Sequence, residues 1–296
     1  MHIHEHTGDA NRRKEKGQSM IVTLHGAPKG FFKTSPPYGN NELLRLVRKT
    51  AMLGFKAIEV GPLADYASID SRLLKEVLDE LDMRRSVHVG GLFDASKFAS
   101  SEEEYDRMMQ QVHRGVTLGS EIGATLVSVH PPFFSMGDES AELWSEARAR
   151  FLRLLKGQAE FAGSNNIKLA LESFCYRPFI FEGLTDFVRF VSNFHSQRLS
   201  ILLETGHLHQ VGINLSEAVH MFQDRLVDVH VHDATVEKDY RKATHLPLGM
   251  GNVDFRSLVK CLREVNYDGW LTLEIRASEE EIEESRKYLQ RLLSET

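Results

Sequence analysis

The sequence is poor in cysteine, in linker segments and in long apolar runs. It has only two cysteines, Cys175 and Cys261, among 296 residues, too few for the disulfide framework of a small secreted domain. No apolar run approaches the ~20 residues that a transmembrane helix needs. No stretch rich in proline, glycine and serine divides the chain. We therefore expect a protein of a reducing compartment, the cytoplasm, without a membrane span.

The sequence also lacks an excess of basic residues. Lys and Arg number 36 against 42 Asp and Glu, a net charge of −6. Proteins that hold a polyanion usually present a basic field, so nucleic acid is not expected as the main partner. With 42% hydrophobic and 26% charged residues the composition is that of a globular protein. The length fits two domains or one α/β barrel of about 250 residues.

Residues 1–19 differ from the rest of the chain. They read MHIHEHTGDANRRKEKGQS, polar throughout and without the apolar segment of a signal peptide. We predict a disordered N-terminal extension, with Met20 as an alternative start. Its histidines, His2, His4 and His6, are expected to be solvated rather than to bind metal.

After Met20, short β-rich apolar runs alternate with amphipathic helical patterns. The candidate strands are residues 21–25, 57–60, 86–89, 125–130, 168–172, 200–204, 227–232 and 270–275. The candidate helices include residues 43–53, 73–81, 103–118, 142–161, 184–194, 215–222, 255–265 and 279–293. Apolar strands that alternate with helices predict a parallel sheet covered by helices. Eight such units predict a single-domain (β/α)8 TIM barrel over residues 20–296.

Polar residues collect at the carboxyl ends of these strands, where such barrels place their active sites. They are His25, Glu59, His88, His130, Glu172, Glu204, His207, His230, His232, His245 and Glu274. Any one strand-end Glu is equally consistent with a structural ion pair. Several carboxylates in apolar strands are costly without a cation or a hydrogen-bond network, so their convergence indicates a divalent ion. Asp233 is a candidate to orient a ligand histidine.

Six blocks carry a resemblance to a known family: VSVHPP, LALESF, LLETGHLHQVG, VHVHDA, THLPLGMGNVDF and LTLEI. In this order they resemble the xylose-isomerase-like TIM-barrel superfamily, which contains sugar and sugar-phosphate isomerases and epimerases and the endonuclease IV type of apurinic endonuclease. The resemblance places the shared metal ligands at Glu172, Glu204, His230 and Glu274. The family usually has Asp where Glu204 stands, and Glu supplies an oxygen on a side chain longer by one methylene.

The resemblance also suggests roles for the histidines. His207 matches a substrate-binding residue of the epimerases, and His25, His88 and His130 are further candidates to contact sugar hydroxyls. In the nuclease branch, His88 and His130 match ligands of a first zinc ion. His207 and His245 match ligands of a third zinc ion.

Two departures weaken the nuclease interpretation, and one affects the epimerase interpretation. Ala243 stands where the nucleases have an Asp ligand, and the segment SFCYRPFIFEG lacks their glycine-rich stretch. The ketose epimerases place an Arg shortly after the seventh-strand ligand, and here Lys238, Arg241 or Lys242 would have to substitute.

We predict from these patterns a divalent-metal-dependent isomerase or epimerase of a sugar or sugar phosphate. The ion, Mn or Zn with Mg or Co also compatible, would polarise a carbonyl and stabilise an enediolate. Glu172 and Glu274, three strands apart, would exchange the proton as base and acid. The alternatives are a zinc phosphoesterase acting on abasic DNA and a non-catalytic barrel or lyase of the same superfamily. A homo-oligomer is left open.

Overall fold

The computed structural model shows a closed barrel of eight parallel strands in sequence order, β1 to β8. It describes residues 20–26, 39–63, 65–90, 93–134, 140–173, 179–194, 199–236 and 244–295. The strands are Ile21–His25, Ala57–Val60, Arg84–Val89, Leu126–Val129, Lys168–Glu172, Leu199–Glu204, Leu226–Val231 and Trp270–Leu273. β1 pairs with both β2 and β8, which closes the ring. The predicted single-domain (β/α)8 barrel is confirmed.

Helices connect the strands on the outside of this ring. Helices α1 to α10 are Asn40–Met52, Ser71–Glu80, Ala95–Ser100, Glu102–Ile122, Ala141–Ser164, Leu184–Ser192, Thr205–Gln210, Leu215–Phe222, Phe255–Glu264 and Glu279–Ser294. The eight predicted helices are present with shifts of a few residues at their ends. The short helices α3 and α7 and the 3-10 helix Tyr66–Ser68 were not predicted, because segments of six residues or fewer are too short to show a helical period.

Three strands end earlier than the sequence pattern indicates. His130, His232 and Glu274 were predicted inside strands, but each directly follows its strand. In the case of His232, the backbone N–H donates to the Thr205 hydroxyl at 3.0 Å instead of continuing the ladder. These three side chains therefore project from the carboxyl rim of the barrel.

The barrel interior changes from apolar to polar along the strands. A small apolar cluster formed by Ala57, Leu126, Ala170, Leu202 and Trp270 fills it near the amino ends. Successive inward side chains are two residues apart, so the next inward layer on the same strands includes Glu59, Ser128, Glu172 and Glu204. The larger apolar core lies between the strands and the helices. It leaves the polar interior facing the carboxyl rim.

Several predictions fall outside the described residues. These are the disordered extension 1–19, Cys175, Ala243 and the candidates Lys238, Arg241 and Lys242. Within the part of the chain that the structure describes, no helix has both the length and the apolar character needed to cross a membrane.

Candidate active site

Four of the strand-end residues meet at the carboxyl rim between β5 and β8. Glu172 and Glu204 are the last residues of β5 and β6, His230 lies in β7, and Glu274 follows β8. Glu172, Glu204 and His230 are buried, whereas the Glu274 side chain is 21% exposed. The ligand atoms of Glu172, Glu204 and His230 lie within 4.8 Å of one another. The structure thus brings together the four residues named as a metal set.

His230 lies at the centre of three carboxylates. Its Nδ1 is 2.6 Å from Glu204 Oε1 and 2.8 Å from Glu274 Oε2. Its Nε2 is 3.1 Å from Glu59 Oε2, within ion-pair range but without a well-aligned hydrogen bond. Burial lowers the pKa of His230, but Glu59 and Glu204 outweigh burial and hold that pKa well above its usual value. Without an ion, a proton on His230 therefore balances the surrounding negative charge.

Glu172 shows that the set fits a cation. Its Oε2 is buried and has no hydrogen-bond partner among the described residues. Burial, followed by the negative charge of Glu204, raises the pKa of Glu172 well above the ordinary value of a carboxyl. A buried, unpartnered carboxylate oxygen is costly. A divalent cation among Glu172, Glu204 and His230 would supply the missing partner and ionise the carboxyl.

Glu204 uses its second oxygen to contact His232. His232 Nε2 lies 2.6 Å from Glu204 Oε2, and the backbone N–H of His245 donates to His232 Nδ1 at 3.0 Å. Because Nδ1 accepts, the ring proton lies on Nε2 and is donated to Glu204. The sequence pattern placed His232 on the face of His230 without giving it this role. The contact joins residues 28 positions apart, and no local signal in the sequence reveals it.

His25 and His88 line the barrel side of the site. His25 Nε2 is 3.6 Å from Glu274 Oε1, and His88 Nε2 is 3.9 Å from Glu172 Oε2. Burial lowers the pKa of His88 to about 3, so its ring is neutral at physiological pH. Both rings therefore border the carboxylates of the metal set.

His130 lies at the same rim, where it contacts Pro131 and Phe179. Its Nδ1 lies 2.9 Å from the carbonyl oxygen of Pro131, and its ring is 5.5 Å from that of Phe179. Burial lowers the pKa of His130 to about 4. Among the described residues, neither His130 nor His88 belongs to a group of three whose ligand atoms lie within 4.8 Å of one another.

His207 and His245 come together with His232 on the other side of the site. The ligand atoms of these three residues lie within 4.8 Å of one another. The rings of His232 and His245 are stacked at 4.3 Å with an interplanar angle of 6°. Stacked imidazoles direct their lone pairs into parallel planes, so a single ion cannot bind both rings in this arrangement. His245 Nε2 lies 3.5 Å from Glu274 Oε1, which connects this group to the metal set.

Asp233 has a different role from the one the sequence suggested. We expected it to orient a ligand histidine, but its carboxylate accepts four backbone N–H groups. Oδ2 accepts from Gly249 at 2.8 Å and Gly251 at 2.9 Å, and Oδ1 accepts from Val253 at 3.0 Å and Ala234 at 2.9 Å. Asp233 therefore fixes the loop after β7, which carries His245.

A further group of possible ligands lies outside the barrel. His220 on α8 and Cys261 and Glu264 on α9 have ligand atoms within 4.8 Å of one another. The two helices are on the outer surface, away from the strand ends. This group is separate from the site at the rim.

The chain is similar to a known protein family and to several known proteins. The family model described as xylose isomerase-like TIM barrel matches residues 47–292. An L-ribulose 3-epimerase from Methylomonas sp. is 25% identical over 238 residues, 79% of this chain and 79% of that protein. An uncharacterized protein from Methanocaldococcus jannaschii is 28% identical over 214 residues, 69% of this chain and 68% of its own length.

Two other similar proteins are an endonuclease-named relative and a solved structure of an epimerase-like protein. A protein named Probable endonuclease 4 from Oceanobacillus iheyensis is 28% identical over 151 residues, 46% of this chain and 48% of that protein. Among solved structures, a D-tagatose 3-epimerase-like protein superposes with a TM-score of 0.77 at 20% identity, covering 93% of this chain and 97% of that chain. At this identity the superposition demonstrates a shared fold.

Proposed function

The chain belongs to the xylose isomerase-like TIM barrel family, and from this premise we propose that it is a divalent-metal-dependent epimerase or isomerase of a sugar or sugar phosphate. The observation that carries the proposal is the convergence of Glu172, Glu204, His230 and Glu274 at the carboxyl rim. The similarity to an L-ribulose 3-epimerase over most of both chains supports the choice of reaction.

Three carboxylates and one imidazole would hold the proposed ion. Oxygen and nitrogen donors without a thiolate suit Mn or Zn, and Mg or Co are compatible. Glu172 and Glu274 hold their oxygens on opposite sides of His230 in strand order, and Glu204 lies between Glu172 and His230. When bound, the ion would polarise the substrate carbonyl and stabilise the charge of the enediolate.

Glu172 and Glu274 are the proposed acid and base. One carboxylate removes the proton from the carbon next to the carbonyl, and the other returns a proton to the opposite face, which inverts that carbon. His207, His25, His88 and His130 lie at the same rim and would donate or accept hydrogen bonds with sugar hydroxyls. Because they come from the ends of four different strands, they would fix the orientation of the sugar ring or chain.

A proton-exchange experiment tests this function. The protein loaded with Mn²⁺ would be incubated in D2O with a panel of ketoses that includes L-ribulose and D-tagatose, and NMR would follow the C–H signals. We expect deuterium at the carbon next to the carbonyl, together with formation of the epimer or isomer. Glu172→Gln and Glu274→Gln should abolish both, whereas His220→Gln on the outer helix α8 should not. Unchanged turnover in either site variant would contradict the assignment.

A phosphoesterase acting on abasic DNA is the second candidate. It is favoured by His88 Nε2 at 3.9 Å from Glu172 Oε2 and by the partial similarity to the endonuclease-named protein. Cleavage of an abasic duplex that is lost with a chelator and with His130→Gln would replace the first proposal. Metal binding without exchange on any sugar would instead favour a non-catalytic barrel or a lyase.

A further inference from the structure

Glu59 is a wholly buried carboxylate one layer below the rim, where three histidines approach it. Its Oε2 is 2.6 Å from His25 Nδ1 and 3.1 Å from His230 Nε2. Its Oε1 accepts a hydrogen bond from the Ser128 hydroxyl at 2.9 Å. Both oxygens thus face groups that can donate, and a carboxylate in these surroundings acts only as an acceptor of hydrogen bonds.

The Glu59 carboxylate determines the tautomer of His88 through Ser128. The Ser128 hydroxyl has one proton, and it donates this proton to Glu59 Oε1 at 2.9 Å, with the Val87 carbonyl oxygen as a longer second acceptor at 3.4 Å. At its other contact, 2.9 Å from His88 Nδ1, the hydroxyl must therefore accept. The single ring proton of the neutral His88 then lies on Nδ1. Its Nε2 keeps a lone pair and lies toward Glu172 Oε2, 3.9 Å away.

The same carboxylate orients the other two histidines. His25 Nδ1 must carry a proton against Glu59 Oε2, so His25 Nε2 is the nitrogen that lies toward Glu274. His230 presents Nε2 to Glu59, so Nδ1 is the nitrogen near Glu204 and Glu274. Each ring thus has one nitrogen on the Glu59–Ser128 pair and the other at the site.

We propose that Glu59 is a positioning residue that sets, from inside the barrel, which nitrogen of His25, His88 and His230 is presented at the rim. It acts on His88 through Ser128. This proposal rests on the proposed function only for the task of the nitrogens that face the rim, which would contact the metal ion or the substrate. Carboxylates that hold the far nitrogen of a ligand histidine are a recurrent device of metal sites, and here one carboxylate serves three rings.

The substitution Glu59→Gln distinguishes a role in hydrogen bonding from a role in filling space. Glutamine has the same shape, but it accepts on one side and donates on the other. If its oxygen faces His25, its amide donates to Ser128, and the hydroxyl proton must turn to another acceptor. His88 Nδ1 at 2.9 Å is nearer than the Val87 carbonyl oxygen at 3.4 Å, so we expect the hydroxyl to donate to His88 and the His88 proton to move to Nε2. If the amide is flipped, His25 must present a bare Nδ1. In either orientation we expect at least one histidine to change its tautomer.

Long-range ¹H–¹⁵N spectra of protein labelled with ¹⁵N-histidine measure the tautomers directly. They would be recorded at pH 8 on metal-free and Zn²⁺-loaded protein and assigned with single-histidine replacements. In wild type we expect Nδ1–H on His25 and His88. In Glu59→Gln we expect His25 or His88 to change to the other tautomer. Glu217→Gln, an exposed position on α8, should leave both signals unchanged. A folded Glu59→Gln protein in which both signals are those of wild type would overturn the proposal.

Ser128 variants keep the test decisive if Glu59→Gln does not fold. Ser128→Ala should change the His88 signal and leave that of His25 unchanged, and Ser128→Thr, which keeps the hydroxyl, should restore the His88 signal. An unchanged His88 signal in Ser128→Ala would contradict the proposed chain of hydrogen bonds. Calorimetry of Mn²⁺ binding to wild type and Glu59→Gln adds a second measurement. Glu59 faces the far nitrogen of the proposed ligand His230, and loss of such an outer partner weakens metal binding about 10–100-fold. A wild-type protein that binds neither Mn²⁺ nor Zn²⁺ would refute the proposed function, while the metal-free spectra would still decide the role of Glu59.

Discussion

The extra methylene of Glu204, compared with an Asp, lets its carboxylate contact two histidines. Both of its oxygens contact a ring nitrogen at 2.6 Å, one on His230 and one on His232. The His232 ring cannot turn away, since the backbone N–H of His245 occupies its other nitrogen. The longer side chain therefore reaches the ring of His232 while it stays beside His230. This contact gives the unusual residue at this position a structural reason.

Glu204→Asp should lose the contact with His232. The buried Nε2–H would be left without an acceptor, which costs about 1–3 kcal/mol of the free energy of unfolding. Urea unfolding of the metal-free protein measures the cost. In a His232→Ala background the same substitution should cost less, because the partner is already absent. Equal costs in the two backgrounds would contradict this role of His232.

His88 should make the stability of the metal-free protein depend on pH. Its pKa is about 3 in the folded protein, against an ordinary value of 6.5 for histidine. Between these values the unfolded chain binds a proton that the folded protein does not, so this group lowers the free energy of unfolding as the pH falls below 6.5. The slope from one such group is about 1.4 kcal/mol per pH unit.

His88→Gln removes this titration. Urea unfolding of both proteins from pH 7 to pH 4.5 should show the stability advantage of wild type decreasing as the pH is lowered. A difference between wild type and variant that does not change with pH would show that His88 does not titrate in the expected range.

At the scale of elements, the loop after β7 depends on close backbone approach. Asp233 accepts N–H groups from Gly249, Gly251 and Val253, and the loop crosses back so that Asp233 and Leu246 form a two-way backbone bridge. A Cβ on Gly251 would lie 2.4 Å from the Asp233 carboxylate and 2.4 Å from the Ala234 carbonyl oxygen. Only glycine fits there without a shift of the loop.

A matched pair of glycine substitutions tests this packing. Gly251→Ala should lower the free energy of unfolding by about 1–3 kcal/mol, the usual cost of overpacking. Gly157→Ala, at an exposed position within α5 where a Cβ meets nothing within 4 Å, should raise it by about 0.5–1 kcal/mol. Thermal or urea unfolding measures both. Stabilisation by Gly251→Ala would contradict the described loop.

The sequence is sufficient to predict the elements and insufficient to predict the partners of each side chain. Apolar runs and the periods of 2 and 3.6 residues place eight strands and eight helices. The pairing of Glu59 with Ser128 joins residues 69 positions apart, and that of Glu204 with His232 depends on the register between β6 and β7. Asp233 was assigned to a histidine because the neighbouring backbone donors come from a loop 16 to 20 residues further on.

At the scale of the whole molecule, the barrel has a polar upper interior that a cation would stabilise. Glu59, Glu172 and Glu204 are buried inside it, and Asp228 is buried one layer lower, level with Leu202 and Trp270. Burial raises the pKa of Asp228 to about 7, and Glu172 is also raised. Concentrated buried carboxylates oppose folding unless cations or protons balance them. The molecule therefore couples its stability to the occupant of the site.

Binding of Mn²⁺ should accordingly stabilise the folded protein. At a free ion concentration 100 times Kd, the expected gain in the free energy of unfolding is about 2.7 kcal/mol. Thermal unfolding with and without Mn²⁺, and after addition of EDTA, measures this gain. Glu204→Gln should abolish most of the response, whereas Glu217→Gln should retain it. The same thermal shift in both variants would place the ion elsewhere, for example at His220, Cys261 and Glu264.

The most direct test of the central claim is anomalous diffraction from crystals of the Mn²⁺-loaded protein, with data collected at the manganese and zinc absorption edges. We predict one ion within bonding distance of Glu172, Glu204, His230 and Glu274, with His230 bound through Nδ1. Density at that position in the absence of further ions would support a sugar epimerase or isomerase. No ion among these four residues would contradict the account. Three ions, with the additional ones on His88 and His130 and on His207 and His245, would instead favour the endonuclease.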